Sequence, residues 1–266
     1  MILVGGRNYV QEFNRYFETV EYVPLDIFCK EELVLNSDEP IVVFASPFLA
    51  KKKFETDFSL LKCPKDSFCK NFKSRNVIFL SSASVYGLSE RIDSFDESSE
   101  LSGKSEYALE KLYFESLLRE VCANTVFVRA SGFFGEVAGF SPRNFLNNLK
   151  SDIQKTNSNV YNIDFCGEQI RDFTHVYDLI EFISLMNRNF PTGHVIYNYS
   201  STEPIFIKDL VSWVAERHEN IKFNFIKNSS IEMHASLDTK KIKETGVSIK
   251  MRDILTFVEF EKFLSF

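Results

Sequence analysis

The sequence lacks what would make it a repeat protein, a string of tethered modules or a membrane protein. No segment recurs at a fixed period, and no Pro/Gly/Ser-rich linker interrupts the 266 residues. One large α/β body, alone or with a small lobe, is therefore expected. No apolar run approaches the roughly 18 residues that a membrane span requires. The opening Met1-Ile2-Leu3-Val4 meets glycine at once, too soon for the apolar stretch of a signal peptide. The cysteines, Cys29, Cys63, Cys69, Cys122 and Cys166, are odd in number and contain no CxxC pair. Neither a disulfide framework nor a zinc ribbon is supported, no metal is expected, and free thiols suit a cytoplasmic location. Positive charge is also in short supply. A formal net charge of −6 leaves no basic surface to displace counterions from a duplex, so no nucleic-acid partner is expected. Lys51-Lys52-Lys53 and Lys240-Lys241 read as solvated faces. The 28 phenylalanines are scattered along the chain and read as core rather than as a stacking platform.

What the chain does contain is an alternation of short apolar runs with helical patterns. Ile2–Val4, Ile41–Ala45, Val77–Ser81 and Thr125–Arg129 are continuous apolar segments, as expected of strands buried on both faces of a parallel sheet. Ser105–Cys122 reads as a helix with Leu109, Leu112, Leu117 and Val121 near one stripe. Further on, Phe145–Lys155, Val176–Met186, Ile207–Arg217 and Arg252–Leu264 read as helices, and His194–Tyr199 and Lys222–Ile226 as strands. The rhythm predicts an α/β fold with a doubly wound parallel sheet, its ligands at the carboxyl ends of the strands. Residues 1–165 should be mainly the sheet domain. Residues 166–266 should hold its last strands and a small α+β lobe, the segments interleaved.

Four elements carry chemistry. Tyr107 and Lys111 stand four apart on the predicted helix, where phenol and ammonium share a face. A nearby ammonium favours phenolate, moving a group of ordinary pKa about 10 toward general acid/base use. About one such pair is expected by chance here, so the spacing alone decides nothing. Ser81-Ser82-Ala83-Ser84-Val85-Tyr86-Gly87 follows a strand, placing hydroxyls at the sheet's carboxyl edge, although a Ser-rich turn would look the same. Arg171 can fork onto a phosphate; Asp178 reads as a plain helix-start charge and His175 as a packed histidine. Gly5-Gly6-Arg7-Asn8 lies where a strand enters a helix, the setting in which backbone N–H groups cradle a pyrophosphate.

Taken in this order and spacing, the elements resemble the extended short-chain dehydrogenase/reductase family, in its nucleotide-sugar epimerase/dehydratase branch. Ser82 precedes Tyr107 by 25 residues. Arg129-Ala130-Ser131-Gly132-Phe133-Phe134-Gly135, Gly167-Glu168-Gln169-Ile170-Arg171-Asp172-Phe173 and the tail from Asp238 through Lys241 to Gly246 and Leu255 resemble the family's later motifs. The resemblance implies a Rossmann-type fold and a Ser82–Tyr107–Lys111 site. Tyr107 would exchange a proton with a sugar oxygen that Ser82 also binds. Lys111 would hold the nicotinamide ribose and lower the pKa of Tyr107. Gly5, Gly6, Arg7, Asn8, Asp26, Ala45 and Ser46 would line the cofactor, and Ser84, Arg171 and Asn144 the substrate. A homodimer is the family's expectation.

The departures are specific. Asn8 and Gln11 replace the second and third glycines of the dinucleotide loop; Asn tolerates positive φ, whereas Gln11 stands where a small residue lets helix and strand approach. Only 36 residues separate Gly5 from Ile41, so one βα unit is missing or reduced. Gly132 and Phe134 replace the family's Asn and Tyr. Ser84 stands where sugar dehydratases carry an acid, which argues against dehydration. A nucleotide-linked 4-keto-sugar reductase is the leading expectation, with NADP(H) favoured through Arg7 over NAD(H) through Asp26. An epimerase with retained NAD, and an inactive member serving as a scaffold, are the alternatives.

Overall fold

The computed structural model describes residues 1–35, 39–44, 65–90, 93–135, 145–153, 159–164, 167–226, 234–245 and 253–256. Its first half runs β1 (Ile2–Val4), α1 (Val10–Phe13), β2 (Glu21–Val23), α2 (Leu25–Lys30), β3 (Ile41–Val43), α3 (Lys65–Phe72), β4 (Asn76–Ser82), α4 (Glu106–Val121) and β5 (Asn124–Ala130). The second half continues with β6 (Gly132–Phe134), α5 (Phe145–Ile153), β7 (Asn159–Asp164), β8 (Ile170–Arg171), β9 (Phe173–His175), α6 (Val176–Arg188) and β10 (His194–Tyr199). It closes with β11 (Ile205–Phe206), α7 (Ile207–Ala215), β12 (Ile221–Ile226) and α8 (Lys240–Glu244). The chain divides into two compact units, residues 1–85, 101–129 and 180–197 against 86–100, 130–179 and 198–266.

The first unit is built on a six-stranded sheet of order β10-β5-β4-β3-β1-β2. β1 pairs in parallel with β2 on one side and β3 on the other, and β3 pairs in parallel with β4. The chain therefore leaves β1 in one direction and returns on its opposite flank, which puts the topological switch point at the carboxyl ends of β1 and β3. The shortening expected between Gly5 and Ile41 takes a definite form: β2 is a three-residue edge strand, and among the described residues nothing pairs beyond it. Ile2, Val4, Ile41, Val43, Val77, Phe79 and Phe127 bury one face of the sheet against Phe114, Leu117 and Leu118 of α4. Leu3, Val42, Ile78 and Val128 are buried on the other, so the continuous apolar runs mark strands covered on both faces.

The buried face of α4 keeps part of the expected stripe, with Leu117 in the core and Val121 packed against it, and departs from it elsewhere. Leu109 is exposed, while Glu110, Lys111 and Glu115 are buried with Ala108, Phe114 and Leu118. A period count that credits only apolar residues misplaces a helix whose inward face carries charge.

In the second unit, Leu210, Val211 and Val214 of α7 pack with Ile163 of β7 and Ile221 of β12. β7 and β12 pair in parallel from Asn159–Ile221 to Asp164–Ile226. Of the helix expected at Arg252–Leu264, one turn, Ile254–Thr256, falls within the described residues. The segment after His234 is tied to β8: the Ala235 N–H donates to the Ile170 carbonyl at 3.1 Å, and the Leu237 N–H donates to Asp172 Oδ2 at 2.8 Å. Asp172 is buried, and burial pushes its carboxyl up to about 7 against the pull of the Leu237 N–H.

A carboxyl raised above its unfolded value binds a proton on folding, so its stabilising contribution is complete in acid and is lost as pH rises through about 7. Asp172→Asn removes that loss. The variant is expected to melt about 2–4 °C above wild type at pH 8, a difference that narrows toward pH 5. Thermal melts of both proteins across that range check it.

Candidate active site

The site of the first unit forms where β4 ends and α4 begins. Ser105 caps α4, its Oγ accepting from the Ala108 N–H at 3.1 Å, and Glu106 stands in the first turn, where the helix dipole favours a negative charge. Just before the cap, the Gly103 N–H donates to the Val85 carbonyl at 3.0 Å. A Cβ at Gly103 would lie 2.2 Å from the Ser84 carbonyl oxygen and 2.8 Å from Ala108 Cβ. Glycine is thus required for the start of α4 to lie against the single turn that follows β4.

This arrangement brings Ser82, Tyr107 and Lys111 together. Tyr107 hydrogen-bonds the Ser82 side chain, and Ser82 Oγ also accepts from the Ser84 N–H at 3.2 Å. Lys111 is 2% exposed. Its ammonium donates to the Leu80 carbonyl at 2.8 Å and lies over the Phe79 ring at 4.9 Å and the Tyr107 ring at 5.5 Å. Burial lowers the Lys111 pKa to about 8, opposed by Glu110 and Glu115. The expected lowering of Tyr107 does not prevail: although 42% of the residue is exposed, desolvation around its hydroxyl raises the phenol, the Ser82 hydrogen bond pulls it down, and Glu110 adds to the rise. The spacing puts Lys111 beside the ring, but its ammonium is held on the strand carbonyl. Ser84 Oγ is fully covered and without a partner.

Two residues that the sequence reading did not single out, Glu115 and Gly103, complete the surroundings. Glu115, one turn beyond Lys111, accepts from Ser81 Oγ at 2.6 Å and from Arg129 at 3.0 and 2.7 Å. All three are buried. The signal for Glu115 was its position, four residues past Lys111 on a helix. Gly103 carried no such signal.

The glycine loop sits at the switch point. Gly5 and Gly6 have φ of 71° and 63°, and the Gly5 N–H donates to the Val23 carbonyl at 3.0 Å. A Cβ on Gly6 would come within 3.0 Å of the Phe44 backbone oxygen and side chain. Such a cradle of bare backbone at the end of β1 fits a dinucleotide pyrophosphate. Asn8 differs from expectation: it lies in a single 3-10 turn, Arg7–Tyr9, and is not among the residues of positive φ, so Gly5 and Gly6 alone make the turn. Gln11 also differs, because it points to solvent and leaves the helix–strand contact free. Arg7 is exposed beside Gly6. Asp26 falls in α2, three residues beyond the Val23 that holds Gly5. Ala45, Ser46 and Asn144 lie outside the described residues.

In the second unit, Arg171 Nη1 donates to the Ile170 carbonyl at 2.7 Å, and Nη2 reaches Gln169 Oε1 at 3.4 Å. Burial lowers its pKa, opposed by Asp172. His175 is packed between the rings of Phe134 at 5.0 Å and Tyr177 at 5.2 Å. Asp178 stands in the first turn of α6. A Cβ at Gly132 would make only ordinary contact, 3.7 Å from Phe173, so glycine is not sterically demanded there.

A doubly wound sheet with a glycine loop at its switch point, and a serine, tyrosine and lysine gathered where β4 meets α4, defines a class of dinucleotide-binding folds. Residues 60–199 match the model of the NAD dependent epimerase/dehydratase family, and the chain belongs to that family. It is similar to UDP-glucose 4-epimerase 3 of Oryza sativa subsp. japonica, 33% identical over 47% of this chain and 39% of that one. It is also similar to UDP-glucose 4-epimerase of Dictyostelium discoideum, 27% identical over 65% of this chain and 57% of that one. The chain thus spans about half the length of these relatives. Its fold is shared with dTDP-glucose 4,6-dehydratase from Bacillus anthracis in complex with NAD, with a TM-score of 0.70, 14% identity and coverage of 99% and 95% of the two chains. RMD from Pseudomonas aeruginosa, complexed with NADPH, gives a TM-score of 0.68, 15% identity and coverage of 99% and 98%.

Gly103→Ala tests the packing that seats α4. The new methyl must displace backbone, so a loss of roughly 1–3 kcal/mol is expected. Urea unfolding measures it; unchanged stability would mean that the turn yields freely.

Proposed function

We propose that the chain catalyses nicotinamide-dependent oxidoreduction at a carbon of a nucleotide-activated sugar, with Ser82, Tyr107 and Lys111 as the working side chains. The convergence of these three where β4 meets α4, in the sheet whose first strand ends in the Gly5-Gly6 cradle, is the observation that carries the reading. A bound nicotinamide supplies the hydride acceptor or donor. The chain's own part is to hold and protonate. Tyr107, whose phenol is raised and therefore protonated at neutral pH, gives its proton to a sugar keto oxygen during reduction and takes it back during oxidation. Ser82 Oγ hydrogen-bonds the same oxygen and is itself oriented by the Ser84 N–H. The Lys111 ammonium, beside Tyr107 and bonded to the Leu80 carbonyl, is the candidate donor to ribose hydroxyls. Arg171 is the candidate for the substrate diphosphate, with Asn144 and Ser84 as further substrate-side positions.

The names of the relatives favour 4-epimerisation of a UDP-sugar with retained NAD. The 4-keto-sugar reductase reading is favoured by a loop reduced to two working glycines, which suits a cofactor that exchanges. Exposed Arg7 supports NADP(H) in that version, and Asp26, close after β2, supports NAD(H) in the other. The lack of any carboxylate at Ala83 and Ser84 argues against dehydration, and the intact trio argues against a scaffold without turnover.

Purified protein incubated with UDP-glucose or UDP-galactose, followed by proton NMR, is expected to interconvert them if it is an epimerase. Heat denaturation should then release a nicotinamide cofactor. A reductase would instead oxidise added NADPH with a nucleotide-linked 4-keto sugar. In either case Tyr107→Phe should slow turnover at least about 100-fold while melting within a few degrees of wild type. Folded wild type that changes none of these sugars, or Tyr107→Phe with full activity, would sink the proposal.

A further inference from the structure

The buried charges of α4 are not used up by the site just described. Glu115 has its carboxylate out of solvent, one turn beyond Lys111. Arg129 of β5 grips both of its oxygens, Nε at 3.0 Å and Nη2 at 2.7 Å. The same carboxylate accepts from Ser81 Oγ at 2.6 Å. Ser81 is bonded in sequence to Ser82, and Leu80, which receives the Lys111 ammonium, is the residue before it. One carboxylate thus joins α4, the end of β4 and β5 at the point where the site is assembled. A buried ion pair is weak evidence for stability, because desolvating two charges offsets much of their attraction; well-packed apolar residues would serve a core as well. Its presence is better explained by what it fixes.

We propose that Glu115, clamped by Arg129, is a positioning residue that sets where Ser82 and Lys111 stand relative to Tyr107. This rests on the proposed function for its catalytic meaning. Its geometric content stands independently: the pair fixes Ser81, the residue before Ser82, to α4 one turn beyond the Lys111–Leu80 contact and on the same helix as Tyr107. Glu115 has an electrostatic consequence too. The charged groups facing Lys111 are Glu110 and Glu115 of its own helix, with the Tyr107 phenol beside it; from β4 it meets the Leu80 carbonyl and the Phe79 ring, and β5 contributes Arg129 through Glu115. Both carboxylates favour the ammonium, so neutralising Glu115 lowers the Lys111 pKa further.

The test compares wild type, Glu115→Gln and the double variant Glu115→Leu/Arg129→Met. Glu115→Gln strands a buried guanidinium and is the variant at risk of misfolding; the double variant removes both charges and guards against that. Each is melted, titrated with NADH and NADPH from pH 6 to 9 by nicotinamide fluorescence, and crystallised. The expected result is a folded double variant that binds the dinucleotide at least about tenfold more weakly, with Ser82 or Lys111 displaced from Tyr107 in its crystal structure. Folded Glu115→Gln should also lose binding at a lower pH than wild type, a shift that a purely structural role would not produce. A folded double variant with wild-type affinity, or with the Ser82–Tyr107 and Lys111–Leu80 contacts intact, overturns the proposal. Wild type that binds neither dinucleotide overturns the functional reading instead, and the crystal structure of the double variant still decides the positioning role.

Discussion

The site depends on one buried cation. Lys111 is held on the Leu80 carbonyl, under the rings of Phe79 and Tyr107, at a depth where an ammonium persists only if it is hydrogen-bonded and offset by nearby charge. The carbonyl belongs to the strand that carries Ser82, and the lysine to the helix that carries Tyr107. This contact therefore joins the two elements that carry Ser82 and Tyr107, alongside the Ser81–Glu115 hydrogen bond. The price of burying the charge appears as a pKa lowered to about 8, and Glu110 and Glu115 moderate it.

The same economy governs the other end of the first unit. Strands of three residues at β1, β2 and β3 leave little room for error in register, and both Gly5 and Gly6 are needed to turn the chain. The close approach of Gly6 to Phe44 places bare backbone at the switch point, the place where a parallel sheet leaves a crevice for ligands. Shortening the sheet beyond β2 removes material from the edge and leaves this crevice in place.

Much of this was legible because burial on both faces writes itself into the sequence. Ile2–Val4 and His194–Tyr199 stand where the sequence placed them, and the strands about Val77–Ser81 and Thr125–Arg129 extend those segments by a residue at each end. β2 escaped notice because Glu21-Tyr22-Val23 is an edge strand with only Val23 buried, so no apolar run announces it. The inward face of α4 was read only in part, because Glu110, Lys111 and Glu115 share it with Leu117 and Leu118 while Leu109 is exposed. Within the site, the Tyr107–Lys111 spacing and Ser82 were readable as a pattern. The direction of the Tyr107 shift was not, since it depends on burial and on Glu110 rather than on helical spacing. Gly103 was invisible for a similar reason: the oxygen that excludes a side chain there belongs to Ser84, distant in sequence and brought near only by the fold.

The central claim is that the buried Lys111 serves a bound nicotinamide dinucleotide rather than the fold alone. Replacing it with methionine keeps the length and apolar character of the stem and removes the charge. Circular dichroism melts and nicotinamide-fluorescence titrations of wild type and Lys111→Met, with NADH and NADPH, therefore separate the two roles. The account predicts a folded variant, melting at or above the wild-type temperature, in which the saturable binding seen for wild type is lost or weakened more than about tenfold. Undiminished binding by the variant, or no binding of either dinucleotide by folded wild type, would contradict it.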